Sequence, residues 1–166
     1  FNIALAEQYH LSLQIGWQNF SYTILDTTNL RYDYLESHKF QSKSIKETTE
    51  QITKIINNSE NLKNNFSSLS IGYIGFPNTL IPNRLYNKKH IKEILEINTT
   101  AFKKIFTDDI QSQKAKLIYS IPEKITKIIE TFFPSANCIS IEKILIEQYS
   151  LLQKSKDNAY INIDNN

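Results

Sequence analysis

The chain opens with three runs in which hydrophobic and polar positions alternate, the pattern of β-strands that are buried on one face. Residues 11–15, 20–24 and 30–38 each follow this period of two. The connections between the runs are short, so neighbouring runs can pair in antiparallel fashion. We therefore predict a three-stranded meander as the first unit of the fold.

The first two runs are joined by residues 16–19, which have the composition of a tight turn. Gly16 can adopt a positive φ without steric cost, and Asn19 can satisfy backbone groups of the turn. The pattern predicts a β-hairpin at this point. Trp17 lies inside the turn, where it either packs with neighbouring aromatic residues or anchors a partner.

The aromatic residues are concentrated in this first part of the chain. Tyr22, Tyr32 and Tyr34 occupy alternate positions of the second and third runs, so we expect them to share one face of the meander.

An amphipathic helix and a fourth strand are predicted to follow the meander. Ser44 is a suitable N-cap, and Glu47 completes a capping box at the start of a helix that contains Ile52 and Ile56. Residues 69–76 then form an apolar strand that Pro77 ends. Its two glycines, at positions 72 and 75, predict a bulge, tight packing against a helix, or the close approach of a bound group.

The second half of the chain is predicted to be mostly helical, with one hairpin. The predicted elements are a helix at residues 83–98, a possible hairpin from 102–106 and 115–119, a helix with an apolar stripe at 125–133, a helix at 140–154 and a strand at 159–164. In the helix at 140–154, Ile144 and Leu152 are expected to face inward.

This order of elements predicts an α+β fold with a mixed sheet flanked by helices. A fourth strand that follows a meander and a helix can join the first strand only through a crossover. The resulting βββαβ order is typical of the ribonuclease-H-like and actin-like folds. A generic α+β domain is the alternative.

The composition is that of an ordinary globular protein. The chain has 166 residues, 40% of them hydrophobic, and a net charge of +2, which is too small to indicate nucleic acid or a membrane surface as a partner. No apolar run approaches the length of about 20 residues that spans a bilayer. We expect a cytoplasmic protein without a membrane segment. The chain lacks methionine, so we also expect it to be a piece of a longer protein.

Candidate catalytic and metal-binding patterns are weak. The histidines are far apart in the sequence and match no zinc spacing with Cys138, which we expect to be a small buried residue. Asp108 and Asp109 could serve a metal or acid–base chemistry, but adjacent residues of a strand point apart, so a turn or helix-capping role is favoured.

A basic segment is the one feature that suggests nucleic acid. It contains Arg84, Lys88, Lys89, His90 and Lys92. No aromatic platform interleaves with these residues, so we interpret them as the solvated face of a helix and predict no nucleic-acid partner.

The hairpin and several later segments together resemble a known family. The segments are residues 11–16, 20–25, 32–38, 75–82, 84–86 and 118–122. The hairpin is similar to the first phosphate loop of the actin, sugar kinase and Hsp70 superfamily, and the whole set resembles an uncharacterised bacterial family, the domain of unknown function 3822 family, which is placed in the actin-like group.

The resemblance implies a two-part protein of which this chain is the first half. Residues 1–158 would be an amino-terminal actin-like half-domain, with an inserted hairpin and helices at 99–135. Residues 159–166 would contain the first strand of a second half.

The resemblance also locates a nucleotide site, and this sequence departs from the pattern there. Active relatives have a carboxylate before the glycine to hold hydrated Mg²⁺, and here that position is Gln14. They place small residues in the turn, whereas Trp17 and Asn19 would crowd a phosphate beside Gly16. A ribonuclease-H-like nuclease also needs a carboxylate on the first strand, so Gln14 argues against that activity. Asp164 is the candidate acid of the second phosphate loop.

We therefore expect a non-catalytic interaction scaffold with a degenerate nucleotide site and a protein partner. We expect no cofactor, although ATP and magnesium could still bind weakly near Gly16. The alternative is an ATP-binding protein whose catalytic groups lie in the second half.

Overall fold

A five-stranded mixed sheet forms the centre of the fold in the computed structural model, which describes residues 3–96 and 104–152. The strands lie in the order β3-β2-β1-β4-β8. Their bounds are β1 (Tyr9–Ile15), β2 (Asn19–Asp26), β3 (Arg31–Lys39), β4 (Ser68–Tyr73) and β8 (Asn137–Ser140). β2 is antiparallel to β1 and β3, whereas β4 is parallel to both β1 and β8. The predicted meander and the crossover to β4 are both present.

Within the described residues, four helices accompany the sheet: α1 (Ile45–Asn58), α2 (Ile91–Glu96), α3 (Glu123–Phe132) and α4 (Ile141–Leu152). The start of α1 is fixed as its sequence predicts. The Ser44 side chain accepts a hydrogen bond from the backbone N–H of Glu47, at 3.3 Å. The Glu47 carboxylate in turn accepts one from the backbone N–H of Lys43, at 2.8 Å, one residue before the usual position of a capping box.

The core joins the sheet to α1 and α3. Ile52 and Ile56 of α1 pack in one cluster with Ile125 and Ile129 of α3 and with apolar side chains of the strands. The buried strand residues include Leu11, Leu13, Ile15, Phe20, Tyr22, Ile24 and Ile71. Full burial of each aliphatic side chain contributes about 1.5–3 kcal/mol. The alternation along β1 and β2 therefore determines which face of the sheet packs against α1 and α3.

A second sheet of three strands is inserted between β4 and α3. It contains β5 (Asn78–Pro82), β6 (Lys104–Ile110) and β7 (Ala115–Ile121), in the order β5-β7-β6. The predicted hairpin corresponds to β6 and β7. The strand β5 was not expected, because Pro77 and Pro82 bracket a segment too short to show a period.

Two predicted helices differ from the structure. Residues 83–96 form short 3₁₀ turns at Asn83–Leu85 and Lys88–His90, followed only then by α2. The Asn87 side chain accepts a hydrogen bond from Lys89 N and so starts a new turn where one helix was expected. In α4, Ile144 and Leu152 are exposed (41% and 58%), so the prediction that they face inward was wrong.

Tyr32 and Tyr34 lie on different faces, contrary to the prediction. Tyr34 is paired with Ile24, but Tyr32 is paired with Leu25, because the register of β2 and β3 shifts at this point. The extra residue of the β-bulge reverses the alternation. Tyr22 and Tyr34 consequently stack, with ring centroids 5.6 Å apart, while Tyr32 is 67% exposed.

The glycines of the fourth strand have separate roles. A Cβ on Gly72 would lie 2.2 Å from the Cδ1 atom of Ile141, so Gly72 allows β4 to approach the start of α4. Gly75 follows β4 with a φ of +71°, in the region that favours glycine. The predicted strand at 159–164, residues 97–103 of the predicted helix and hairpin, and the end of the predicted last helix lie outside the described residues.

Candidate functional site

The carboxyl ends of β1, β4 and β8 meet at one edge of the larger sheet. In open sheets with parallel strands, this edge is where ligands bind. Three segments lie there: the β1–β2 turn at residues 16–19, the residues after β4, and the start of α4. The predicted site residues Gly16, Trp17 and Asn19 are all in the first of these segments.

The β1–β2 turn is filled by one of its own side chains. The backbone N–H of Gly16 donates to the carbonyl of Asn19 at 3.0 Å. A Cβ on Gly16 would lie 2.3 Å from the side-chain Oδ1 of Asn19, which is buried and has no hydrogen-bond partner. Among the described glycines only Gly75 has a positive φ, so Gly16 is needed for space and the expectation of a left-handed turn was wrong.

Trp17 is half-buried and fixes the turn to its surroundings. Its ring packs edge-on against Phe76, with centroids 6.3 Å apart. Its carbonyl accepts a hydrogen bond from the Thr48 side chain of α1, at 3.1 Å. Of the two roles predicted for Trp17, packing with neighbouring aromatic residues therefore fits, because its ring packs against Phe76 of the same chain.

An aromatic series continues from Phe76 into the inserted sheet. Tyr73 lies between Phe76 and Phe106, at centroid distances of 6.0 and 6.3 Å, and Phe106 stacks on Tyr119 at 5.3 Å. Contacts of this kind add about 0.5–1.5 kcal/mol each beyond area burial. They connect the turn to β6 and β7.

Gln14 lies two residues before the turn, in the middle of the sheet. It is half-buried and is paired with Ser21 of β2 and Gly72 of β4. Its neighbours Leu13 and Ile15 point to the opposite, buried face. β1 contains no acidic residue, so this strand brings no negative charge to the site.

Glu142 is a site residue that the sequence analysis missed. Its Oε1 atom accepts a hydrogen bond from the backbone N–H of Gly75 at 3.1 Å, and its Oε2 atom accepts one from the hydroxyl of Ser140. The carboxylate thus occupies a backbone donor that could otherwise bind an anion. The sequence signal was a serine two residues before an acid at the start of a helix.

The inserted sheet contributes a second carboxylate to this edge. Asp108 of β6 accepts a hydrogen bond from the backbone N–H of Ser140, at 3.1 Å. Asp109 points away and pairs with Lys116. Both aspartates lie on β6, so the predicted turn or helix-capping role was wrong, and Asp108 instead links β6 to the last residue of β8. Burial first, and the Asp108 carboxylate second, raise the pKa of the Tyr119 phenol above its usual range.

The arrangement is better suited to holding the chain together than to holding a nucleotide. Two carboxylates lie at this edge of the sheet, each on a backbone donor, and an amide fills the turn where a phosphate would have to approach. Across residues 3–96 and 104–152, no three His, Cys, Asp or Glu side chains are grouped so that they could hold a metal ion. Asp164 lies outside the described residues.

The remaining candidates are separate from this edge. Cys138 is half-buried on β8, and burial raises the pKa of its thiol. The basic residues Arg84, Lys88, Lys89, His90 and Lys92 are exposed on the 3₁₀ turns and on α2. Within the described part of the chain, none of the helices combines the length and the apolar character needed to cross a bilayer.

Comparison with known proteins confirms the fold. A family model described as "Protein of unknown function (DUF3822)" matches residues 1–166. None of the curated proteins matches the chain. A crystal structure from Bacteroides thetaiotaomicron, of a protein with actin-like ATPase fold and unknown function, is similar with a TM-score of 0.78 and 18% sequence identity. The similarity covers 92% of this chain and 59% of that chain.

A second structure is less similar. It is the cytoplasmic domain of EpsL, an inner membrane component of the type II secretion system of Vibrio cholerae, with a TM-score of 0.45 and 6% identity. That similarity covers 80% of this chain and 56% of the EpsL domain. The fold assignment therefore depends on the Bacteroides structure, which confirms the predicted α+β, actin-like class.

Proposed function

This chain belongs to the family described as protein of unknown function (DUF3822), and from its site we propose that it is a non-catalytic interaction scaffold with a degenerate nucleotide site. The observation that carries the proposal is the position of the Asn19 amide, 2.3 Å from the point where a Cβ would stand on Gly16. A phosphate needs this space and the donors around it.

Charge supports the same proposal. A hydrated Mg²⁺ ion beside a triphosphate is held by anionic oxygen, and Gln14 supplies none. The carboxylate of Glu142 lies on the backbone N–H of Gly75, where it would repel an incoming phosphate. Gln14, Gly16, Trp17, Asn19 and Asp164 are thus proposed as the residues of a former nucleotide site.

The proposal includes the arrangement of the whole protein. The chain covers 59% of the Bacteroides structure, which supports assigning residues 1–158 to a first half-domain and 159–166 to the first strand of a second. The exposed apolar residues of α4 are a surface for that second half to cover. The proposed partner is another protein, with no nucleic acid, and the proposed compartment is the cytoplasm.

Thermal unfolding of the full-length protein tests the proposal. The protein is heated with and without millimolar ATP and Mg²⁺, with an active sugar kinase as positive control, and phosphate release is measured in parallel. We expect no shift and no turnover. A ligand present at 100 times its dissociation constant would stabilise the protein by about 2.7 kcal/mol. Such a shift together with turnover would overturn the scaffold role.

The second candidate function is an ATP-binding protein completed by the other half. The observation that favours it is Glu142, a carboxylate at the ligand-binding edge of the sheet that could serve an acid–base role. If ATP is hydrolysed, the variant Glu142→Gln should lose turnover while it keeps the thermal shift.

A further inference from the structure

β3 is an edge strand of the larger sheet. It extends over nine residues and pairs with β2 on one side, and no strand of the described residues pairs with its other side. The unpaired side carries a row of backbone donors and acceptors, which is a template for another strand. We propose that β3 is the docking site for an extended segment of a protein partner, which binds by strand addition.

A groove runs along the inner side of this edge. A cavity of about 490 Å³ separates β3 from α1. Its lining is mixed: Tyr34, Glu36 and His38 come from β3, Gln51, Lys54 and Asn58 come from α1, and the apolar Phe40 and Ile55 lie among them. Alternate side chains of an added strand would enter this groove. Small polar side chains suit the amides of α1.

One carboxylate in the groove is held in place. Glu36 Oε2 accepts hydrogen bonds from the phenols of Tyr22 and Tyr34, and Oε1 lies 2.9 Å from Nε2 of His38. The hydrogen bond from Tyr22 is the main cause that lowers the pKa of Glu36, so the carboxylate is ionised at neutral pH. Its side chain is 34% exposed. A lysine or arginine of the partner is its natural complement.

The outer side of the edge carries two exposed apolar side chains, followed by Ser37 and Lys39. Tyr32 and Leu35 are 67% and 70% exposed there. The partner strand should therefore carry apolar side chains on this side and polar ones, including one basic residue, on the groove side.

A second copy of the chain is a poorer occupant. Antiparallel pairing of two β3 strands can match all nine residues only when it is centred on Leu35. That register puts Tyr34 of the second copy opposite Glu36, so it gives the Glu36 carboxylate no basic partner. A partner with a lysine facing Glu36 supplies that charge. The inference names the kind of partner for the scaffold and so rests on that proposed function.

Peptide binding to the full-length protein tests the inference. The probe is a fluorescent peptide of the same length as β3, with valine at its odd and threonine at its even positions, in which lysine replaces the threonine that pairs with Glu36 in the antiparallel register centred on Leu35. Controls are the same peptide with glutamate or with threonine at that position, and with N-methylated valines that cannot pair as a strand. Affinity is measured by fluorescence anisotropy.

We expect the lysine peptide to bind at least about tenfold more tightly than the glutamate peptide, since a charge-assisted hydrogen bond contributes about 1.5–3 kcal/mol. The N-methylated peptide should not bind. Glu36→Gln should reduce the advantage of lysine over threonine, and melting curves check that the variant is folded. Amide exchange should slow along β3 when the lysine peptide binds.

Two further variants keep the test decisive. Leu35→Lys should weaken peptide binding at least about fivefold, and Leu80→Lys, an exposed leucine on the edge strand β5, should leave it unchanged. Absence of binding, equal binding of the N-methylated peptide, or a dimer that Leu35→Lys dissociates would overturn the inference. ATP turnover would overturn the scaffold role whether or not the peptide binds, so the two failures are distinguishable.

Discussion

The side chain of Asn19 occupies the space over Gly16 in the β1–β2 turn, with 2.3 Å between its Oδ1 atom and the point where a Cβ would stand. Because Oδ1 is buried without a hydrogen-bond partner, the contact is one of packing. The two residues are therefore coupled: any side chain at position 16 requires that Asn19 move.

We expect Gly16→Ala to destabilise the protein by about 1–3 kcal/mol, the usual cost of adding a methyl group to a packed site. In an Asn19→Ala background the same substitution should cost less than about half as much, because the obstructing amide is gone. Urea unfolding of the two single variants and the double variant measures the coupling. Equal costs in both backgrounds would contradict the proposed packing.

Asp108 should matter more for stability than its neighbour Asp109. Loss of the hydrogen bond from Ser140 N in Asp108→Ala should cost about 1–3 kcal/mol, because it involves a charged acceptor and leaves a backbone donor at the end of β8 without its partner. Asp109→Ala, which removes an exposed pair with Lys116, should cost less than about 1 kcal/mol. Chemical unfolding of both variants checks the difference. A larger loss of unfolding free energy in Asp109→Ala than in Asp108→Ala would show that Asp108 does not connect the two sheets.

The stability contributed by Glu36 should depend on pH. Its pKa in the folded protein is lowered, first by the hydrogen bond from Tyr22. The contribution is therefore complete above the usual glutamate pKa of about 4.3 and is lost as the pH falls through the lower folded value. Unfolding free energies of wild type and Glu36→Gln, measured from pH 7 down to about 3, should converge at the acid end.

Glu50→Gln is the matched control for this pH series. Glu50 lies on the exposed face of α1, 3.9 Å from Lys46, and its replacement should change the unfolding free energy by less than about 0.5 kcal/mol. If the difference in unfolding free energy between wild type and Glu36→Gln stayed constant down to the lowest pH, the assigned role of Glu36 would be contradicted.

Cys138 should react slowly with alkylating reagents. Burial raises the pKa of its thiol, and the hydrogen bond with Tyr73 opposes this only in part. Since the thiolate is the reacting form, folding should lower the rate at neutral pH. Alkylation with iodoacetamide, followed by mass spectrometry in the presence and absence of urea, compares the two states. The same rate in both would show that Cys138 is accessible in the fold.

The sequence was informative where burial follows a simple period. The alternation in β1 and β2 and the capping residues of α1 predicted the meander, the helix and the crossover. The predicted face of Tyr32 was wrong, because a β-bulge reverses the alternation and cannot be recognised from the hydrophobic pattern. The pattern also missed β8, whose four residues around Cys138 are too few to show a period.

The candidate site was harder to predict than the fold. Four of the candidate site residues lie close together in the sequence, so a local pattern was enough to identify them: Gln14, Gly16, Trp17 and Asn19. Glu142 reaches Gly75 from an element 67 positions further along the chain. Only the pairing of β4 with β8 brings those two residues together. Contacts of this kind depend on the completed topology.

The packing of Trp17 provides the chain with an internal optical reporter. It is the sole tryptophan of the sequence, and its ring lies against Phe76 where the first hairpin, the larger sheet and the inserted sheet come together. Its emission wavelength therefore follows solvent access to that junction without any added label. Binding, unfolding or displacement of the inserted sheet can each be monitored by the same signal.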